Sequence, residues 1–276
     1  MKNLIVTYCN KYKGDFLINN WLLSLRKNVD LSNIDILVTD FGLTEEQKEE
    51  LISEGVIVQS KEPKGRMSNY HYKFLREFLL ENINYNQVLY SDCGDVIFQS
   101  DISHLFKLSK HQFKAAIEPE FNFILHKKTL GFQDIKSESI MEIEKILGEN
   151  PTVNGGFIIG PSSKMKDIWT EYNKFCHNID VHGTDQLIIS YILYKEGFCE
   201  LPKKYNYVTF LNTESFWINR QKFYENEDGI IPVVHNAGRY DFARAIDNFG
   251  YKKGKVRPKA WSYLFIYHYR LLKRIL

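Results

Sequence analysis

The sequence has little that would mark an exported, membrane-spanning or fibrous protein. Its 276 residues include only four cysteines and seven prolines. Cys9, Cys93, Cys176 and Cys199 show no C-x-x-C spacing, which predicts free thiols in a reducing cytosol and argues against a zinc site. The opening run Met1-Lys2-Asn3-Leu4-Ile5-Val6-Thr7-Tyr8 has one positive side chain and an apolar stretch too short for a secretory h-region. No signal peptide is expected from it. No apolar stretch reaches the length of a membrane span. Repeats and low-complexity segments are missing, and residues 7–14 supply no Gly-rich, basic loop after the first predicted strand. With 44% hydrophobic residues the chain can build a sizeable core, which excludes a disordered tail, a collagen-like fibre or a disulfide mini-protein.

Net charge is also low, at +2, but it is the sum of unlike parts. Eight of the 36 basic residues (Lys252, Lys253, Lys255, Arg257, Lys259, Arg270, Lys273 and Arg274) lie in residues 252–276, which hold none of the 34 acidic ones. An acidic body of residues 1–250 with a basic tail of residues 251–276 points to an anionic partner for the tail. Trp261, Tyr263, Phe265, Tyr267 and Tyr269 interleave there with Leu264, Ile266, Leu271, Leu272, Ile275 and Leu276. That composition suits attachment to an anionic membrane surface, peripheral on the inner, cytoplasmic face. No RNA- or DNA-binding module accompanies it, so no nucleic acid partner is expected. The plainer alternative is a C-terminal helix packed on the body. The membrane reading predicts that the protein floats with anionic liposomes; a protein that stays at the bottom of the gradient excludes it.

Apolar runs and helical patterns alternate through the first part. Residues 4–6, 34–38, 56–58 and 87–90 read as strands. Between them, Phe16, Trp21, Leu22 and Leu25 recur at helical spacing, Thr44 and Gln47 form a capping box for a helix through Leu51, and residues 70–80 read as a longer helix. This alternation predicts an α/β fold with a mostly parallel sheet and a ligand at the carboxyl ends of the strands. Later on, residues 114–117 and 156–159 read as strands and 136–148, 164–175 and 185–196 as helices.

The fourth strand runs into Asp92-Cys93-Gly94-Asp95. Two carboxylates on one turn repel each other unless a cation sits between them, and a hard divalent ion such as Mg²⁺ or Mn²⁺ suits oxygen ligands. The alternative is an ordinary turn in which Asp92 caps and Asp95 is solvated. Asn154-Gly155-Gly156-Phe157 precedes a strand; its glycines admit close approach to the backbone, although an Asn-Gly-Gly is also a common loop. His182-Gly183-Thr184-Asp185-Gln186 opens a helix whose N-terminus favours polar or anionic ligands. Val233-Val234-His235-Asn236-Ala237-Gly238 ends an apolar run in an imidazole, either a metal ligand or a hydrogen-bonded structural histidine.

In their order, these elements resemble the nucleotide-sugar-dependent glycosyltransferases of the GT-A fold, particularly glycosyltransferase family 8. The resemblance runs over about residues 3–240. It includes the strand and polar loop of residues 5–10 and Leu37-Val38-Thr39-Asp40-Phe41-Gly42-Leu43-Thr44-Glu45-Glu46-Gln47. It continues with Tyr72-Lys73-Phe74-Leu75, the DxD-like Asp92-Cys93-Gly94-Asp95, Asn154-Gly155-Gly156, Asp185-Gln186 and His235-Asn236-Ala237-Gly238. It implies a GT-A-like, Rossmann-type sheet and a UDP-sugar donor, with Mn²⁺ or Mg²⁺ on Asp92, Asp95 and His235. Thr7, Tyr8 and Asn10 would line base and ribose, Lys73 and Arg239 would contact the diphosphate, and Gly155 and Gly156 would admit the donor. Asn154, Asp185 and Gln186 would bond the donor sugar, while Glu118 and Glu120 would orient donor or acceptor or lie in a solvated loop. The implied activity is hexosyl transfer with retention onto a glycan, glycolipid or glycoprotein, in bacterial cell-surface polysaccharide or glycoconjugate synthesis. Two alternatives are a nucleotidyltransferase, which the missing Gly-rich loop disfavours, and a non-catalytic sugar-nucleotide-binding, membrane-associated protein, which the Asp92/Asp95/His235 set disfavours.

Overall fold

A computed structural model describes residues 1–62, 65–123, 135–148, 150–176, 184–212, 215–225, 229–238, 244–257, 267–268 and 271. Four parallel strands form its first half: β1 (Lys2–Cys9), β2 (Ile34–Asp40), β3 (Ile57–Ser60) and β4 (Tyr85–Ser91), in the order β3-β2-β1-β4. A helical run over residues 11–28 follows β1, with a π turn at Leu17–Leu22. Asn10 caps its start by accepting from Tyr12 N at 3.1 Å. The helix Glu45–Ser53 starts in the expected capping box, with Gln47 N donating to Thr44 Oγ1 (3.2 Å) and Thr44 N to Gln47 Oε1 (3.1 Å). The third crossover is the helix Met67–Glu81. Because β2 lies on one side of β1 and β4 on the other, the strand order reverses between β1 and β4, and a crevice opens at their carboxyl ends.

The sheet then changes direction. After β5 (Val96–Phe98) come β6 (Phe113–Asn122), β7 (Pro151–Pro161) and β8 (Phe198–Glu200), and the full order is β3-β2-β1-β4-β7-β6-β8. β7 is antiparallel to both β4 and β6, and its second half runs back along β4, with Ser91 opposite Phe157. Both faces are covered. Leu4, Val6, Val88, Tyr90 and Ile158 pack under the helices Met67–Glu81, Ser137–Leu147, Ile168–Phe175 and Thr184–Glu196. Ile5, Ile36, Val38, Leu89 and Ile159 pack against Trp21, Leu25 and Leu51. Strand alternation produces this division, since successive side chains leave opposite faces. Trp21 is fully buried, and its Nε1 donates to Ser91 Oγ at 3.2 Å, anchoring the end of β4 from the π turn.

A second sheet is too short to be read from periodicity. It joins β5, β9 (Tyr207–Val208) and β13 (Val233–His235), with β13 antiparallel to β5 and parallel to β9. Beside it lie a meander of β10 (Phe216–Asn219), β11 (Lys222–Glu225) and β12 (Gly229–Ile230) and a hairpin of β14 (Ile246–Gly250) and β15 (Lys253–Val256). That hairpin crosses residue 250 and is tied to the body through Tyr251 N, which donates to Asn20 Oδ1 at 3.0 Å. Lys252, Lys253 and Lys255 therefore sit in a turn and strand of the hairpin, and Arg257, just beyond it, pairs with Asp247. Of the expected membrane-binding segment beyond them, all but Tyr267, His268 and Leu271 lies outside the described residues. Among the described residues no helix is long and apolar enough to cross a membrane.

Candidate active site

The chain leaves β4 through Asp92-Cys93-Gly94-Asp95 and returns at once as β5. Since Val96 pairs with His235 and Asn236 N donates to Asp95 O at 2.8 Å, the second sheet carries His235 over this turn from far along the sequence. His235 Nε2 lies 3.4 Å from Asp95 Oδ1 and 3.8 Å from Asp92 Oδ2. One ligand atom from each of the three lies within 4.8 Å of the others. The two residues between the carboxylates do not prevent convergence, and the Lys13 side chain packs close to Gly94. Gly156 is the floor: a Cβ there would come within 2.5 Å of His235 Cε1 and 2.8 Å of Asp92 Oδ2.

The protonation of His235 is set from behind. Asn206 Nδ2 donates to Asn154 Oδ1 (2.8 Å), so Asn206 Oδ1 faces His235 Nδ1 (2.9 Å) as an acceptor. In its neutral form, a His235 that donates from Nδ1 to Asn206 would leave Nε2, the atom facing the two carboxylates, free to bind a metal. The relay continues inward: Asn154 Nδ2 donates to Glu118 Oε1, and Gln186 Nε2 donates to Glu118 Oε2. Burial raises the Glu118 carboxyl, against the two amide bonds that hold its charged form. Burial and the neighbouring Asp95 raise Asp92 despite the attraction of His235. For Asp95 burial is outweighed by the bond and charge of His235 and by Arg244 and Lys13, and its carboxyl is lowered. For His235 burial is outweighed by Asp95, Asp92 and Glu118, and its pKa is raised.

Beside the cluster, Tyr90 Oη donates to Asp92 Oδ1. The buried His71 ring stacks against both Tyr90 (centroids 4.4 Å) and Tyr8 (4.9 Å), and burial lowers its pKa to about 3, so it is neutral. Tyr8 in turn lines a pocket of about 300 Å³ with Gly65, Arg66, Met67 and Ser68. Asp185, in the first turn of the helix Thr184–Glu196, is raised to about 6 by burial and by Asp92, with Arg66 opposing.

Several expected positions take other parts. Thr7 does not line a ligand site: β1 is a central parallel strand covered on both faces, and Thr7 is 1% exposed. Asn10 is a helix cap whose Nδ2 reaches Met67 Sδ (3.7 Å). Lys73 lies on the outer face of its helix and pairs with Glu77 at 3.8 Å, because helical spacing turns Tyr72, Leu75 and Leu79 inward. Asn154 uses its carbonyl on Gly156 N and Asn206 and its amide on Glu118, so it braces the site. Gly155 faces the start of the helix Thr184–Glu196, where an added Cβ would meet Gln186 Cα at 4.0 Å. Arg239 and the side chain of Glu120 lie outside what is described. Among the described residues, Arg244 is a cation that pairs with the cluster, with Nη2 3.2 Å from Asp95 Oδ2. Asn206, Tyr90 and His71 belong to no motif, and Arg244 had only its place after His235-Asn236-Ala237-Gly238 as a signal.

The family model Glycosyl transferase family 8 matches residues 18–240. Among solved structures, the chain is similar to the apo form of the bifunctional glycosyltransferase WbbM, at 12% identity and a TM-score of 0.55, over 87% of this chain and 46% of that one. It is also similar to the glycosyltransferase GlyE of Streptococcus pneumoniae TIGR4, at 15% identity and a TM-score of 0.56, over 99% of this chain and 64% of that one. It thus spans about half of the first protein and less than two thirds of the second, and at these identities the likeness is one of fold. No curated protein sequence matches the chain. With the metal-type cluster at the switch point of the sheet and the family match over most of its length, the chain belongs to glycosyl transferase family 8.

Proposed function

We propose that the protein transfers a sugar from a UDP-sugar to the hydroxyl of a glycan, glycolipid or glycoprotein with retention of configuration, using Mn²⁺ or Mg²⁺ held by Asp92, Asp95 and His235. The observation that carries this is the convergence of two carboxylates and an imidazole, with one ligand atom of Asp92, Asp95 and His235 each within 4.8 Å of the others. The donor set, two hard oxygens and one neutral imidazole, fits either ion. When bound, the ion supplies a Lewis acid for the diphosphate oxygens of the leaving group.

The chain's own residues do the rest. Tyr8 offers a ring for uracil in the pocket that Arg66 shares, Arg66 brings positive charge to that pocket, and Arg244 brings it to Asp95. Asp185 and Gln186 lie at the helix start where donor hydroxyls can be bonded. In the transfer, the acceptor oxygen bonds to the anomeric carbon as the bond from that carbon to the diphosphate oxygen breaks. The acceptor's proton passes to that departing oxygen, releasing UDP. Both events share one face of the sugar, so holding the partners in place is the main requirement.

Incubation with a panel of UDP- and GDP-sugars and Mn²⁺ tests the reading through slow donor hydrolysis. A UDP-sugar is expected to be consumed, with the rate lost on chelation. Consumption of GDP-sugars alone overturns the uridine assignment, and no consumption of any donor overturns sugar transfer itself.

A further inference from the structure

β6 and β8 run parallel to each other, and their carboxyl ends lie on the same edge of the sheet as the metal cluster. Between those ends lies a cavity of about 370 Å³, at the small end of the range for small-molecule sites. Ile117, Leu201, Val208 and Leu211 give it aliphatic walls. Its polar members include Glu118 and Asn206, the two residues it shares with the relay behind His235. Glu118 also holds Gln186, so one carboxylate has the cavity on one side and the expected donor-sugar residue on the other. An occupant would therefore sit against the wall of the reaction centre.

Its charge is one-sided. Lys203 is already neutralised, since its ammonium pairs with Glu225 and lies 5.7 Å from the centroid of the Tyr207 ring. Glu118 is a buried carboxylate and Glu200 an exposed one among the lining residues. No unpaired cation among the described lining residues is available to a phosphate, and two carboxylates would repel one. Aliphatic walls with an amide and a carboxylate at one end match the C–H faces and hydroxyls of a neutral sugar.

We infer that this cavity is the acceptor site and that it takes an uncharged, hydroxyl-bearing sugar in preference to one carrying a phosphate near the reacting hydroxyl. This rests on the transfer reading above. The test uses p-nitrophenyl glycosides of glucose, galactose and N-acetylglucosamine, and their 6-phosphates, with whichever sugar nucleotide the protein hydrolyses. Transfer to at least one uncharged glycoside is expected, with its phosphate used at least tenfold less well. In Leu211→Trp, which narrows the cavity, the acceptor KM should rise at least tenfold and the ratio of transfer to hydrolysis should fall in step. Glu200→Lys, at an exposed position that does not threaten folding, should shift preference toward the phosphorylated glycosides. Donor hydrolysis without transfer to any uncharged glycoside, or variants with unaltered acceptor KM and preference, overturns the acceptor site while leaving sugar transfer standing. Absence of all donor hydrolysis removes the transfer reading and this inference together.

Discussion

Asp95→Asn is expected to lower sugar transfer by roughly a thousandfold, the scale of removing a principal electrostatic partner at a reacting centre. The amide keeps the shape of the side chain and one oxygen, but removes a charge that His235 Nε2 meets at 3.4 Å and Arg244 at 3.2 Å. The fold should barely register the change. The bond that shapes the turn, from Asn236 N to Asp95 O, uses the backbone and survives. The Arg244 pair is partly open to solvent and contributes on the order of 1 kcal/mol or less. Loss of that pair is offset by relief of repulsion from Asp92, whose carboxyl Asp95 helps to raise. Transfer should stay depressed as Mn²⁺ is raised into the millimolar range, with a melting temperature near that of the parent. Full transfer with added Mn²⁺ would sink the ligand assignment.

Gly156→Ala tests the same cluster through shape alone. The backbone at this position has no left-handed φ that would itself favour glycine. The obstacle is steric: one added methyl would stand 2.5 Å from His235 Cε1, 2.8 Å from Asp92 Oδ2 and 3.1 Å from Asn154 Oδ1. His235 is held by Asn206, Asp92 by Tyr90, and Asn154 by Glu118, so none of the three is the loose end of a flexible chain. Metal affinity, read by calorimetric titration, should fall about ten- to a hundredfold, as when groups supporting a metal ligand are disturbed. Overpacking should also cost about 1–3 kcal/mol of stability. Gly155→Ala is the comparison, since its methyl would meet only Gln186 Cα at 4.0 Å. The loss at 156 should clearly exceed that at 155; equal effects would mean that the strand start, rather than the cluster, had been damaged.

Local chemistry made a large part of this molecule legible. Apolar runs such as Ile36-Leu37-Val38 and the Thr44/Gln47 box act over a few residues, and each forms within a residue or two of its expected place. The acidic turn was legible for the same reason, because like charges beside a glycine at a strand end constrain their surroundings wherever the rest of the chain goes. The misplaced residues share the opposite cause. Thr7 and Lys73 were judged by side-chain type, while their roles follow from which face of a strand or helix the body covers.

Taken by itself, then, the sequence determined the α/β architecture, the order of the elements in its parallel half and the three residue types of the metal-type cluster. Tertiary structure alone decided how they act together. The two- and three-residue strands β9, β5 and β13 have no periodicity to read, yet their pairing carries His235 onto Asp95. The antiparallel entry of β7 puts Gly156 under Asp92 and turns Asn154 into a brace. Asn206, in an unmarked Lys-Lys-Tyr-Asn run, became the hydrogen-bond partner of the His235 ring. Arg244 pairs with Asp95 from 149 residues away in sequence. Each of these depends on contacts between residues distant in sequence, which no local pattern encodes and only the closed fold brings within hydrogen-bond range.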